Sequence, residues 1–188
     1  MKKILTLLGL AAFSLGYSQG GTLILNNYSQ YDFKGFIIAN NFAGGCYPYI
    51  SSNNPDMVTV PANSHIGNGN ALIYTNYRDQ YTSSLYPMTE WHVSTSSAPG
   101  IPRLWNHPAV MPGGVLSNNT KWATTKFVMY YPGTTTLAPD NFNGAITLAG
   151  NSTCYSASDS MMSSTGNNSA EIFTLSSGGT TYTYIQLY

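Results

Sequence analysis

The stretch Thr180-Thr-Tyr-Thr-Tyr-Ile-Gln-Leu-Tyr188 repeats with a period of two. Successive side chains of an extended chain point to opposite faces, so Tyr182, Tyr184, Gln186 and Tyr188 look one way and Thr183, Ile185 and Leu187 the other. The aliphatic set is the natural core side, which leaves the tyrosines on the outer face of a sheet. Three surroundings compete for those rings. Neighbouring strands can pair with them, at about 0.2 to 1 kcal/mol per cross-strand pair. A sugar can stack on exposed rings while Asn or Asp side chains hydrogen-bond its hydroxyls. Lipid can face the last strand of an outer-membrane barrel, which also alternates. Gln186 interrupts that apolar side, and ten prolines fit barrel strands poorly.

Working back from this strand, the runs Ala170 to Leu175, Ala145 to Leu148 and Trp122 to Tyr131 are rich in β-branched and aromatic residues and are separated by glycines. The first third holds Thr22 to Asn26, Asp32 to Ala39, Met57 to Val60 and Ala71 to Tyr74. The polar turn Asn27-Tyr-Ser-Gln30 predicts that the first two of these pair antiparallel. Pro61 lacks an amide donor and places the preceding strand at an edge or a bulge. Between Asn76 and Asn119 the chain is rich in Tyr, Pro and Ser, with Glu90 to Val93 as its best strand. A long irregular segment of this kind is where a binding surface is expected. No window outside the N-terminus has a helical period with start and stop signals. Eight or nine short strands joined by turns predict an all-β fold, an antiparallel β-sandwich of immunoglobulin-like or jelly-roll-like type, with a small β-barrel as the alternative.

Met1-Lys-Lys, an apolar run from Ile4 to Leu15 and Gly16-Tyr-Ser-Gln19 follow the pattern of a secretory signal peptide of bacterial appearance, cut after Ser18. The run is shorter than the roughly 20 residues that span a bilayer. Residues 19–188 then form one domain of 170 residues, long enough to bury a core. It keeps five basic residues against seven acidic, a balance of −2. Scattered cations cannot supply the footprint of a nucleic-acid binder. Only 7% of residues are charged, while 43% are apolar and 13% aromatic. Folding is well supplied, and the surface must be built from Asn, Ser, Thr, Gly and Tyr.

Cys46 and Cys154 are the two cysteines, and in an exported chain they predict a disulfide, with two buried thiols as the alternative. His65, His92 and His107 lie 27 and 15 residues apart, without the close spacing of zinc ligands. Glu90 and His92 share a strand face, where they read as an exposed hydrogen-bonded pair, with an acid/base pair or two metal ligands as the alternatives. No Gly-x-Ser-x-Gly or Ser-x-x-Lys motif occurs. Asp140-Asn-Phe-Asn-Gly144 lacks the ligand phase of a calcium loop and reads as an Asx-rich turn. Asn27, Asn118, Asn151 and Asn167 open Asn-x-Ser/Thr triplets, which abundance of these residues alone produces.

These readings predict a secreted or periplasmic, non-enzymatic protein that acts by binding at or outside the cell surface. Carbohydrate is the leading ligand class, no cofactor or metal is implied, and neither nucleic acid nor a spanning segment is expected. The candidate binding residues are Trp105, Tyr182, Tyr184 and Tyr188, Trp105 being the ring expected to be exposed and Trp91 and Trp122 those expected in the core. Two alternatives are a hydrolase using Glu90, His92 and His107, and a surface protein that self-associates through strands with few charged gatekeepers.

Overall fold

The computed structural model describes residues 20–52, 57–78, 84–149 and 154–188. The expected leader, its cleavage point and the Asn151 triplet lie outside them. Twelve strands are described: β1 (Thr22–Asn27), β2 (Asp32–Asn41), β3 (Tyr49–Ser51), β4 (Val58–Val60), β5 (Leu72–Tyr74), β6 (Glu90–Ser94), β7 (Ile101–Leu104), β8 (Thr120–Tyr130), β9 (Asn143–Thr147), β10 (Ser160–Met162), β11 (Ser169–Ser177) and β12 (Thr180–Leu187). They form a five-stranded sheet, β10-β11-β12-β1-β5, and a seven-stranded one, β7-β6-β3-β2-β8-β9 with β4 beside β2. The two sheets stack as a sandwich around one core and do not close into a barrel.

The alternation on β12 holds: Thr183, Ile185 and Leu187 are buried, and Tyr182, Tyr184 and Gln186 are half-buried on the other side. The inner faces supply Leu23, Leu25, Leu72, Tyr74 and Ile172 from one sheet and Phe33, Ile37, Phe127, Met129 and Ile146 from the other. Trp91 and Trp122 are core residues, with ring centroids 6.0 Å apart.

The expected hairpin of β1 with β2 is not formed. β1 runs antiparallel to β5 and parallel to β12, while β2 pairs with β8, β3 and β4 in the other sheet. Leu23 and Leu25 must meet Phe33 and Ile37 across the core, and a hairpin would set both runs in one layer. The turn is instead a corner between sheets, held by the fully buried Asn27. Its Nδ2 donates to the carbonyls of Tyr31 (2.7 Å), Val60 (3.2 Å) and Pro61 (3.0 Å), and its Oδ1 accepts from the Ser29 hydroxyl at 2.7 Å.

Cys46 and Cys154 form the disulfide, 108 residues apart in sequence. The bridge ties Cys154 and Tyr155 to the outer side of the seven-stranded sheet. There Tyr155 shares a hydroxyl contact with Tyr49 at 3.0 Å and its ring sits 3.6 Å from the Lys126 ammonium. Ile38, Asn40 and Thr124, which face away from the core, are also buried.

Candidate binding surface

Register across the five-stranded sheet arranges its outer face in rows. Tyr184 lies opposite Phe173 on β11 and Ile24 on β1, and Ile24 lies opposite Ile73 on β5. One apolar row, Phe173-Tyr184-Ile24-Ile73, thus crosses four strands. Beside it runs Leu175-Tyr182-Thr22 on one side and the polar row Glu171-Gln186-Asn26 on the other. Beyond the polar row, past the strand ends, Tyr188 stacks on Tyr28 (centroids 5.6 Å apart, planes at 10°), and Tyr28 stacks on His65 at 4.8 Å.

A polar strip therefore lies between two aromatic ones. The strips are four residues apart along β12, about 13 Å at the rise of a strand. Phe173 and Tyr184 overlap in an offset stack, 5.3 Å between centroids with planes at 13°, a favoured geometry for aromatic pairs. Part of each ring face is covered by its neighbour, so cross-strand pairing accounts for a share of the tyrosine content. The rest of the face is uneven: Tyr28 is 41% exposed, Tyr188 45%, Ile73 39% and Leu175 56%, while Ile24 and Asn26 on β1 are buried, which leaves Glu171 and Gln186 as the accessible part of the polar row.

Glu171 is the one charged side chain in these rows. The Tyr188 hydroxyl donates to its Oε1 at 3.1 Å and also meets Gln186 Oε1. Desolvation, then the Glu171 carboxylate, pushes the Tyr188 phenol up. Asn26 is anchored, its Oδ1 accepting the Ile66 amide at 2.9 Å.

The four residues singled out from sequence do not form one site. Tyr182, Tyr184 and Tyr188 come together on this face. Trp105 follows β7, an edge strand of the other sheet. It is half-buried, and its amide donates to the Thr89 carbonyl at 3.0 Å. Nor do the histidines converge. His65 belongs to the ring stack, and His92 shares the outward face of β6 with Glu90 and leaves no room for a Cβ on Gly100. His107 caps a turn, its Nδ1 accepting the Ala109 amide at 3.2 Å. Among the described residues no group of three or more His, Cys, Asp or Glu is placed to hold a metal. Asp140 and Asn141 both take positive φ, 64° and 52°, as an Asx-rich turn requires.

Sequence reading missed Tyr28, Phe173, Ile24 and Ile73 as members of this surface. Phe173 carried a signal, since Glu171, Phe173 and Leu175 alternate with Ala170 and Ile172, but both sets contain apolar residues and neither declares itself the core. Tyr28 sits in a turn, where periodicity says nothing. No family model, curated protein or solved structure matches the chain.

Proposed function

We propose that the chain is an exported binding protein whose ligand is a glycan, held on the outer face of the five-stranded sheet without being turned over. The observation that carries this reading is the alternation of strips. A saccharide presents apolar C–H faces and a rim of hydroxyls, and here ring and aliphatic rows flank a carboxylate-and-amide row. Three further features support it. The low charge makes recognition tolerant of salt, which suits hydroxyl ligands. The disulfide fits an oxidising compartment. No helix among the described residues is long and apolar enough to cross a membrane.

The test is a glycan array probed with residues 19–188, then with Tyr184→Ala and Gln186→Ala. Binding that weakens about tenfold or more in both variants, with the fold retained, supports the reading. An array without binding, or binding indifferent to both changes, overturns it.

Self-association is the second reading, and it draws on the same exposed aliphatics, Ile73 and Leu175. Pairing through sheet edges is less favoured than pairing through this face. Edge strands β5 and β10 have three residues each, and β7 contains Pro102, devices that blunt edges. Sedimentation that shows a dimer lost in Leu175→Ser, without any glycan binding, would favour this reading. The hydrolase alternative draws on Glu90 and His92 alone, because His107 points its imidazole nitrogen into its own turn.

A further inference from the structure

A cleft of about 650 Å³ opens on the other layer, lined by Asp32, Lys34, Thr59 and the loop Gly133 to Thr136. It is a shallow, open site: Thr59 and Gly133 to Thr136 are exposed, and Asp32 and Lys34 are half-buried at its floor. The walls are fixed. Asp32 accepts the Ala62 amide at Oδ1 (2.9 Å) and the Gly133 amide at Oδ2 (2.8 Å), so one carboxylate clamps the loops on both sides. Gly133 has φ of 68°, a conformation that favours glycine. Thr134 braces the loop, its hydroxyl donating to the Tyr131 carbonyl at 2.9 Å and accepting the Thr136 amide at 3.1 Å.

What remains available is chemically specific. Both Asp32 oxygens are occupied by amide N–H groups. The Lys34 ammonium lies 5.0 Å above the Tyr130 ring and is paired with no carboxylate among the described residues. The hydroxyls of Thr59, Thr135 and Thr136 make no hydrogen bond among the described residues. Lys34 is the one cation lining the cleft, next to three hydroxyls that can donate or accept, and the one opposing charge is the Asp32 carboxylate, whose oxygens are turned to the two loop amides. The set fits an anionic group carried on a polyhydroxylated ring and held on the Lys34 side.

We infer that this cleft is a second ligand site, separate from the aromatic face, that takes one acidic sugar unit: a hexose carboxylate, its carboxylate on Lys34 and its ring hydroxyls on Thr59, Thr135 and Thr136. The site does not rest on the proposal for the five-stranded sheet. The test is a nuclear magnetic resonance titration of residues 19–188 with galacturonate, galactose and acetate, reading the amides of Thr59 and of Gly133 to Thr136. Galacturonate should shift them saturably, with galactose and acetate each about tenfold weaker or more, because each lacks half of the recognition. Lys34→Gln should weaken galacturonate by about tenfold, Thr135→Val severalfold, and Tyr184→Ala not at all, each with a dispersed spectrum. Acetate as good as galacturonate would reduce the cleft to an anion contact, and galactose as good would remove the role of Lys34. Either result, or the absence of saturable shifts, overturns the inference and leaves the aromatic face to be judged by its own array.

Discussion

Trp91 and Tyr77 hold one another twice: the indole N–H donates to the Tyr77 carbonyl at 3.0 Å, and the two rings meet edge to face with centroids 5.0 Å apart. Tyr77 also places its hydroxyl 2.7 Å from Thr120 Oγ1, and that threonine donates to the Leu116 carbonyl. Trp91→Ala should therefore cost about 3 to 5 kcal/mol. Tyr77→Phe, which removes only the hydroxyl contact, should cost about 1 kcal/mol. Urea unfolding of both variants measures the difference, and equal losses would deny the packing role of the indole.

Facing on β12 predicts unequal costs for adjacent residues. Ile185→Ala should lose about 2 to 5 kcal/mol as a fully buried aliphatic, and Tyr184→Ser about 1 kcal/mol, most of it through the stack on Phe173. A double-mutant cycle of Tyr184 with Phe173 should return a coupling of about 0.5 to 1.5 kcal/mol.

Asn27→Ala should cost about 2 to 3 kcal/mol, although the side chain lost is small. Three carbonyls, the Ser29 amide and the Ser29 hydroxyl each lose a hydrogen bond inside the corner that joins the sheets, and buried polar groups that lose a bond are penalised. A denaturant midpoint within error of the parent would remove Asn27 as the tie.

Reduction of the Cys46–Cys154 bridge should lower stability by about 2 to 5 kcal/mol, as expected for closing so long a loop. The Cys46→Ser, Cys154→Ser double variant should match the reduced protein. Calorimetry with and without reductant reads both.

Stability should also fall in alkali. Burial pushes the phenols of Tyr74 and Tyr77 above their ordinary value of 10.0, as it does for Tyr49, where the Tyr155 hydroxyl adds to the effect. The folded state keeps these protons while the unfolded chain releases them from about pH 10 upward. The stabilisation is thus complete below pH 10 and is lost above it, with a slope approaching about 1.4 kcal/mol per pH unit for each group. Denaturant midpoints at pH 8, 9.5 and 11 check this, and a flat profile would place the phenols in contact with water.

The layered β architecture was legible because β2, β8, β11 and β12 are long and either alternating or dense in β-branched residues. The core placement of Trp91 and Trp122 and the outward side of the β12 tyrosines were legible for the same local reasons, and the disulfide was legible from the presence of two cysteines in a chain that reads as exported. Strand partners were not. Whether Asn27 to Gln30 closes a hairpin or turns a corner depends on side chains from Tyr31 and Val60 that local pattern cannot supply. β7 was hidden by Pro102, which an edge strand tolerates, and β3 and β10 are too short to show a period. On the outer face of the five-stranded sheet, the rows are assembled from β1 and β5 in the first half of the sequence and β11 and β12 at its end. Only the part written in β12 could be read in advance, and Trp105, grouped with it in the sequence reading, lies in the turn after β7, at the edge of the other sheet.

The parallel registry of β1 with β12, from Thr22 beside Tyr182 to Asn27 beside Leu187, has a mechanical consequence. Tension applied at the start of β1 and the end of β12 pulls the two strands along their own axes in opposite directions. All six paired positions bear that load together, as in a lap joint, where a hairpin would open one rung at a time. Stretched between those two points, the domain should give way in a single high-force event.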